Sequence, residues 1–169
     1  MLFIDAAKDG ELPVVKLFLH TRNVEQSVKD IALVGIFSSA SLEVAKVLLD
    51  EGADVTAHKN KAIIDASECC CCCTPCPCLE KVKLFLSRGA DPRVNPAAND
   101  NIAIRVASTW GKTNVVKVLL EDPRVDPAAK NNDAIESARR SGRVETVRLL
   151  LTVPRVIETY TREIPKWMR

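Results

Sequence analysis

The sequence predicts an all-helical protein, a solenoid of about five helical hairpins. Three observations support this prediction. One string recurs at an offset of 31 residues. Apolar residues inside each copy follow helical spacing, and glycines fall between the two helices of several copies, where a chain reversal needs positive φ. Because one hairpin cannot bury its apolar face alone, the copies are expected to stack.

The repeat is clearest in the second half of the chain. Residues 91–101 read DPRVNPAANDN and residues 122–132 read DPRVDPAAKNN. The same offset relates further pairs downstream: Ala103 and Ala134, Ile104 and Ile135, Ala107 and Ala138, Gly111 and Gly142, Val116 and Val147, Leu119 and Leu150. So many matches at one spacing identify an internal repeat.

Each copy contains two short helical patterns. Ala103, Ile104 and Ala107 form one apolar stripe at helical spacing, and Val115, Val116 and Leu119 form a second. Gly111 lies between them, and Asp-Pro steps break the chain before the next copy. The sequence therefore predicts one helical hairpin per repeat.

Three further copies precede these two. They begin at Leu2 (LFIDAAKDGELPVVKLFL), Ile31 (IALVGIFSSASLEVAKVLL) and Ala62 (AIIDAS, closing with VKLFL). We predict a repeat domain over 1–155 with units of about 2–29, 30–60, 61–99, 100–131 and 132–153. Residues 69–78 form a Cys-rich insert in the third inter-helix turn. Residues 156–169 form either a capping helix, with Val156, Ile157, Tyr160 and Ile164 on one face, or a disordered end.

Two strings resemble ankyrin repeats, namely LLDEGADV (48–55) and LFLSRGADP (84–92). The A-x-x-x-G turn before VVKVLL is similar to that family too. The resemblance covers the chain from Leu2 to about Val153. The family's TPLH start is absent, since Ala-Ile stands there, and the stretch from Val55 to Ala62 is short. We therefore expect the β-hairpins between repeats to be reduced or absent.

The resemblance implies a non-enzymatic scaffold that binds another protein through the concave face of the stack. By register, the two positions before each turn glycine would vary with the partner. The implied partner-binding residues are Lys8, Asp9, Ser38, Ser39, Thr109, Trp110, Arg140 and Ser141, with Glu68 and Cys69 in the third unit. Trp110 is the candidate anchor, because Trp and Arg dominate binding hot spots; its ring could equally lie against a neighbouring helix.

The loops before the first helices are expected to form the rim of that face. Their residues are His58, Lys59, Asn99, Asp100, Asn131 and Asn132. Asp100 and Asp133 are also candidate helix N-caps, because a short side-chain oxygen at that position accepts backbone N–H groups.

All seven cysteines lie between positions 69 and 78, which leaves three interpretations open. Cys69, Cys70, Cys73, Cys76 and Cys78 are candidate ligands of zinc or copper(I), or redox-active thiols. Acylation of clustered cysteines could tether the protein to a membrane. A low-complexity expansion in a permissive turn needs neither function, and no cofactor is predicted.

Composition argues against several other classes of function. A net charge of +2 is too small to indicate a nucleic-acid partner, and no apolar stretch reaches the length of a membrane span. Neither a secretory leader nor a spread cysteine framework is present, so we expect an intracellular, cytoplasmic monomer. Only two histidines occur and no catalytic constellation is visible, so we expect no enzyme.

Overall fold

The computed structural model describes residues 3–36, 41–68, 78–87 and 94–163, with side chains to Tyr160. Within these ranges the ordered elements are helices and no strand is present, which confirms the all-helical prediction. The helices are α1 (Phe3–Asp9), α2 (Leu12–Thr21), α3 (Gln26–Gly35), α4 (Leu42–Asp50), α5 (Ala57–Glu68), α6 (Cys78–Ser87), α7 (Ala98–Thr109), α8 (Thr113–Leu120), α9 (Ala129–Arg140), α10 (Val144–Leu150) and α11 (Pro154–Glu163).

The chain divides into two compact units, Met1–Asn95 and Pro96–Arg169. In the first unit α1 packs against α2 and α3, α3 against α4 and α5, and α6 against α4 and α5. In the second unit α7 packs against α8 and α9, α10 against α8 and α9, and α11 against α9. Each unit thus contains helical hairpins laid side by side, while the five repeat boundaries stay a prediction.

The buried residues are those that the apolar stripes pick out. Ala103, Ile104 and Ala107 on α7, and Val116 and Leu119 on α8, have no exposed surface. Small side chains on the first helix of each hairpin let neighbouring helices approach closely, and larger aliphatic ones on the second fill the space between. Burial of this apolar surface holds neighbouring hairpins of one unit together.

Lys81 occupies a buried position that valine or threonine takes in other hairpins. Its register partners Val44, Val115 and Thr146 are all buried, and Lys81 itself is 1% exposed. Its ammonium donates a hydrogen bond to the carbonyl oxygen of Ile36 at 2.7 Å. The lysine thereby ties α6 to the end of α3, and it offsets part of the cost of burying its charge by this bond.

Three first helices open with a left-handed turn that the sequence did not predict. The turn comprises three consecutive residues with φ between 52° and 62° in each case, namely His58, Lys59 and Asn60, then Asn99, Asp100 and Asn101, then Lys130, Asn131 and Asn132. This conformation costs L-residues roughly 1–2 kcal/mol each, least for Asn and Asp. Its recurrence at matching positions shows that the repeat shares a backbone geometry as well as a sequence.

The buried asparagine at the last position of this segment joins one repeat to the next in two cases, and the half-buried Asp30 of α3 makes the same kind of bond. Oδ1 of Asn60 accepts the N–H of Asn95 at 2.8 Å, and Oδ1 of Asn101 accepts the N–H of Asp126 at 2.7 Å. In the earlier repeat Oδ1 of Asp30 accepts the N–H of Asp54 at 2.7 Å. The backbone N–H groups of these loops therefore find their acceptors on side chains and not in the backbone of a β-sheet.

The last member of this series binds α11 instead of another loop. Oδ1 of Asn132 accepts the hydroxyl hydrogen of Thr159 at 2.7 Å. Arg155 forms a two-pronged ion pair with Asp126, from Nε to Oδ1 at 2.9 Å and from Nη2 to Oδ2 at 3.1 Å. Val156 of the same helix is fully buried. Residues 156–163 thus lie in a helix that packs on α9, and its role as a cap of the repeat stack stays a prediction.

Candidate binding surface

Polar side chains of α7 and α9 line one side of the second unit. Alanine and isoleucine of both helices turn toward the core, so residues spaced by three or four on the other face lie together. We call six of these residues the α7–α9 ridge: Arg105, Thr109 and Trp110 from the α7 end, with Asp133, Ser137 and Arg140 from α9.

Asp133 is the centre of an ionic network that joins the two helices. Its Oδ2 lies 2.6 Å from Nε of Arg105, and its Oδ1 lies 3.6 Å from Nη2 of Arg140. The hydroxyl of Ser137 donates to the same Oδ1 at 3.2 Å. The side chains of Arg105 and Asp133 are only 25% and 26% exposed, so this pair is screened less than a fully solvated one.

Trp110 stands at the C-terminal end of α7 with 42% of its surface exposed. Its backbone N–H closes the helix on the carbonyl of Val106 at 3.1 Å, which fixes where the indole projects from the backbone. The hydroxyl of the preceding Thr109 donates to the carbonyl of Arg105 at 3.0 Å. The ridge therefore presents a large apolar ring next to charged groups.

Arg143 contacts the backbone around this tryptophan, although the sequence did not indicate it as a site residue. Its Nε donates to the carbonyl oxygen of Thr109 at 3.1 Å. Its side chain also covers Gly111, where an added Cβ would lie 2.7 Å from Cδ of Arg143. Arg143 thus contacts the residues on both sides of Trp110 in the chain. The sequence feature that could have indicated this contact is the position of Arg143 directly after Gly142, the turn glycine that corresponds to Gly111 in the next repeat.

The remaining predicted binding residues are spread over both units. Lys8, Asp9, His58, Lys59 and Ser141 are exposed. Lys8 lies over Gly35, where an added Cβ would be 2.8 Å from Cε of the lysine. Ser141 directly follows Arg140 of the ridge, and its N–H donates to the carbonyl oxygen of Ser137 at 3.0 Å, whereas Lys8, Asp9, His58 and Lys59 belong to the first unit. Ser38 and Ser39 lie outside the described residues.

Two expectations about the loops before the first helices were wrong. Asn132 is fully buried, because its side chain bonds α11, and it does not belong to an exposed rim. Asp100 and Asp133 do not cap helices: the positions before α7 and α9 are Ala97 and Ala128, and the carboxylate of Asp133 accepts from the side chains of Arg105 and Ser137. Asp100 instead pairs with Lys130 at 3.0 Å, since the left-handed turn moves its carboxylate away from the helix start.

Of the cysteine candidates, the structure describes only Cys78. It is the first residue of α6 and is buried, with 2% of its surface exposed. Cys69, Cys70, Cys73 and Cys76 lie outside the described residues, so metal binding, redox chemistry and acylation there stay predictions. Among the described side chains, no group of three or more His, Cys, Asp or Glu could hold a metal ion.

A second charged cluster lies where α9 meets α11. A hydrogen bond from Arg139 lowers the pKa of Glu136, and a bond from Tyr160 acts in the same direction. Burial is the main cause that raises the pKa of Tyr160, with its bond to Glu136 second. Because Arg139 is already paired with Glu136 at 2.9 Å, it contributes less to the charge available at the ridge than Arg140 does.

Comparisons with known proteins give one informative match. The chain is 32% identical over 117 residues to "Ankyrin repeat, SAM and basic leucine zipper domain-containing protein 1" of Rhinolophus ferrumequinum. The match covers 68% of this chain and 24% of that protein, so the chain spans about a quarter of the relative's length. No protein-family model matches the chain. None of the described helices is long and apolar enough to cross a membrane.

Proposed function

We propose that this chain is an ankyrin-like repeat protein that binds a partner protein through the α7–α9 ridge, without catalysis. Three findings support the proposal. The chain is similar to a protein whose name includes ankyrin repeats, its described residues form helical hairpins, and the ridge combines an exposed indole with arginines. These are the residue types that contribute most to protein–protein binding.

The exposure of Trp110 is the single observation that carries the proposal. A tryptophan with 42% of its surface in water loses the hydrophobic stabilisation that burial would bring. The fold does not need the ring there, because Ser141 takes the same register position before Gly142 in the next repeat. A partner that covers the ring gains that stabilisation, and the Asp133 network holds the helices beneath it in a fixed arrangement.

Capture of partners by the immobilised full chain tests the proposal. The variants are Trp110→Ala and the matched control Leu151→Ala, since Leu151 lies in the same unit and is also 42% exposed. We expect wild type and Leu151→Ala to capture the same protein. Trp110→Ala should bind that protein with an affinity lower by about tenfold or more. Circular dichroism confirms that all three are folded. Equal capture by all three, or equal loss in both variants, contradicts the ridge as the binding surface.

A further inference from the structure

The side chains around Trp110 carry more positive than negative charge. Asp133 is the one carboxylate of the α7–α9 ridge, and both Arg105 and Arg140 share it, with Arg140 at the longer distance of 3.6 Å. The side chain of Arg140 is 63% exposed. Arg143 adds a third cation beside Trp110. The ridge therefore carries more guanidinium charge than its own acid neutralises.

The geometry of Arg143 leaves its terminal nitrogens available. Only Nε is engaged, by the carbonyl of Thr109, and no acceptor within the described part of the chain takes a hydrogen bond from Nη1 or Nη2. The contact with Gly111 restricts where the side chain can lie. An arginine that is held in place loses less conformational entropy on binding, and its planar fork suits a carboxylate.

We propose that Arg140 and Arg143 bind a carboxylate of the partner, so that the segment lying on Trp110 is an acidic peptide with an apolar residue for the indole. This inference rests on the proposed protein-binding function and names the chemistry of its partner. A nucleic acid fits less well, because its binding depends on many cation–phosphate contacts, whereas the excess positive charge here comes from a few guanidinium groups. The net charge of only +2 also gives little of the electrostatic attraction on which such binding depends.

Fluorescence of Trp110 gives a direct measurement on the full chain. Trp167→Phe removes the other of the two tryptophans, so the remaining signal reports on the ridge. The probe is a short peptide of alternating glutamate and leucine. A peptide with glutamine for glutamate is the neutral control, and a single-stranded DNA oligonucleotide of equal charge is the competing ligand. We expect the acidic peptide to change the fluorescence saturably and to bind more weakly as salt is raised.

Arginine variants test the two side chains individually. Arg140→Gln and Arg143→Gln are each expected to weaken binding of the acidic peptide by about tenfold. Arg143→Lys keeps the charge but loses the fork and should recover only part of the affinity. The matched control is Arg148→Gln, because Arg148 is exposed on α10 and paired with Glu145 at 3.4 Å. Its binding should equal that of wild type.

A second variant moves Arg143 without removing it. Gly111→Ala places a Cβ against the arginine side chain and should weaken peptide binding, whereas at Gly142 no atom other than those of its chain neighbours would lie within 4 Å of an added Cβ. Both glycines have positive φ, so Gly142→Ala introduces the same unfavourable backbone conformation. Its effect on peptide binding measures that contribution alone.

The possible outcomes separate the inference from the function on which it rests. Equal binding of the glutamine peptide, tighter binding of the DNA, or insensitivity to Arg140→Gln and Arg143→Gln overturns the acidic-peptide inference. If protein capture still depends on Trp110 in that case, the proposed function stands with a partner of different chemistry. If capture does not depend on Trp110 either, both fail.

Discussion

At the scale of single residues, Asn101 meets two structural demands at one position. Its backbone has a φ of 59°, which asparagine tolerates better than most residues. Its Oδ1 accepts the N–H of Asp126, in the next loop, at 2.7 Å. Asn60 meets the same pair of demands, whereas Asn132 combines a φ of 62° with a hydrogen bond from the hydroxyl of Thr159. A short side chain with an acceptor oxygen satisfies both. Asp30 lies inside α3 and has no positive φ, so it meets only the hydrogen-bonding demand.

Replacement of Asn101 by alanine should therefore lower the free energy of unfolding. It leaves the N–H of Asp126 without its acceptor, at a cost of about 1–3 kcal/mol. Asn99→Ala is the control, since Asn99 has a φ of 52° in the same turn but is exposed and so shares only the backbone cost. Urea denaturation of both variants gives the difference. If the two variants are equally stable, the buried hydrogen bond contributes nothing.

Of these three asparagines, the sequence pattern singled out only Asn132, and only as a residue of the loop rim. Hydrophobic periodicity reports which side chains face the core, but it contains no information about φ. A buried polar residue that bonds a distant backbone group looks like a surface residue in the pattern. The recurring spacing of Asp30 to Ala32, Asn60 to Ala62, and Asn101 to Ala103 was a signal, because a surface residue has no reason to recur in register.

At the scale of elements, the loop between α8 and α9 carries its own ion pair. Asp122 Oδ2 lies 2.6 Å from Nη2 of Arg124, and Oδ1 accepts from Nε of Arg124 at 2.9 Å. This hydrogen bonding from Arg124 is the main cause that lowers the pKa of Asp122. The pair closes the turn that leads into the left-handed segment at Lys130.

Because the folded pKa of Asp122 lies below its unfolded value, its contribution to stability is present above the unfolded pKa of about 4. That contribution is lost as the pH falls through the folded pKa. We expect Arg124→Gln to lower stability by up to about 1 kcal/mol at pH 7 and to make little difference once Asp122 is protonated. Urea denaturation across this acidic range measures the difference, with Arg148→Gln as the control. A difference that persists undiminished in acid contradicts the role assigned to Asp122.

At the scale of the whole molecule, the sequence predicted the helices better than the surfaces they form. Apolar spacing and the turn glycines Gly10, Gly111 and Gly142 located the hairpins, because core packing determines both. The position of Arg143 beside Trp110 depends on how one turn lies against the next. Such contacts join residues far apart in the chain, and no periodicity within a helix reports them.

The second compact unit contains a core of its own, and we expect residues 96–169 to fold without the rest of the chain. Helices α7 to α11 bury aliphatic side chains against one another, and α11 covers the last repeat through Val156 and the Thr159–Asn132 bond. The expected result is a helical circular dichroism spectrum and one cooperative urea transition. Leu119, which has no exposed surface, provides the test of specific packing.

Leu119→Ala should destabilise the fragment by about 2–5 kcal/mol, enough to unfold much of a small domain. Leu151→Ala should change its stability by less than about 1 kcal/mol, because that side chain is already 42% exposed. A fragment that is helical but insensitive to Leu119→Ala lacks a packed core. A fragment without helix shows that this unit requires the first one to fold, as expected if neighbouring repeats supply most of the stability of a repeat array.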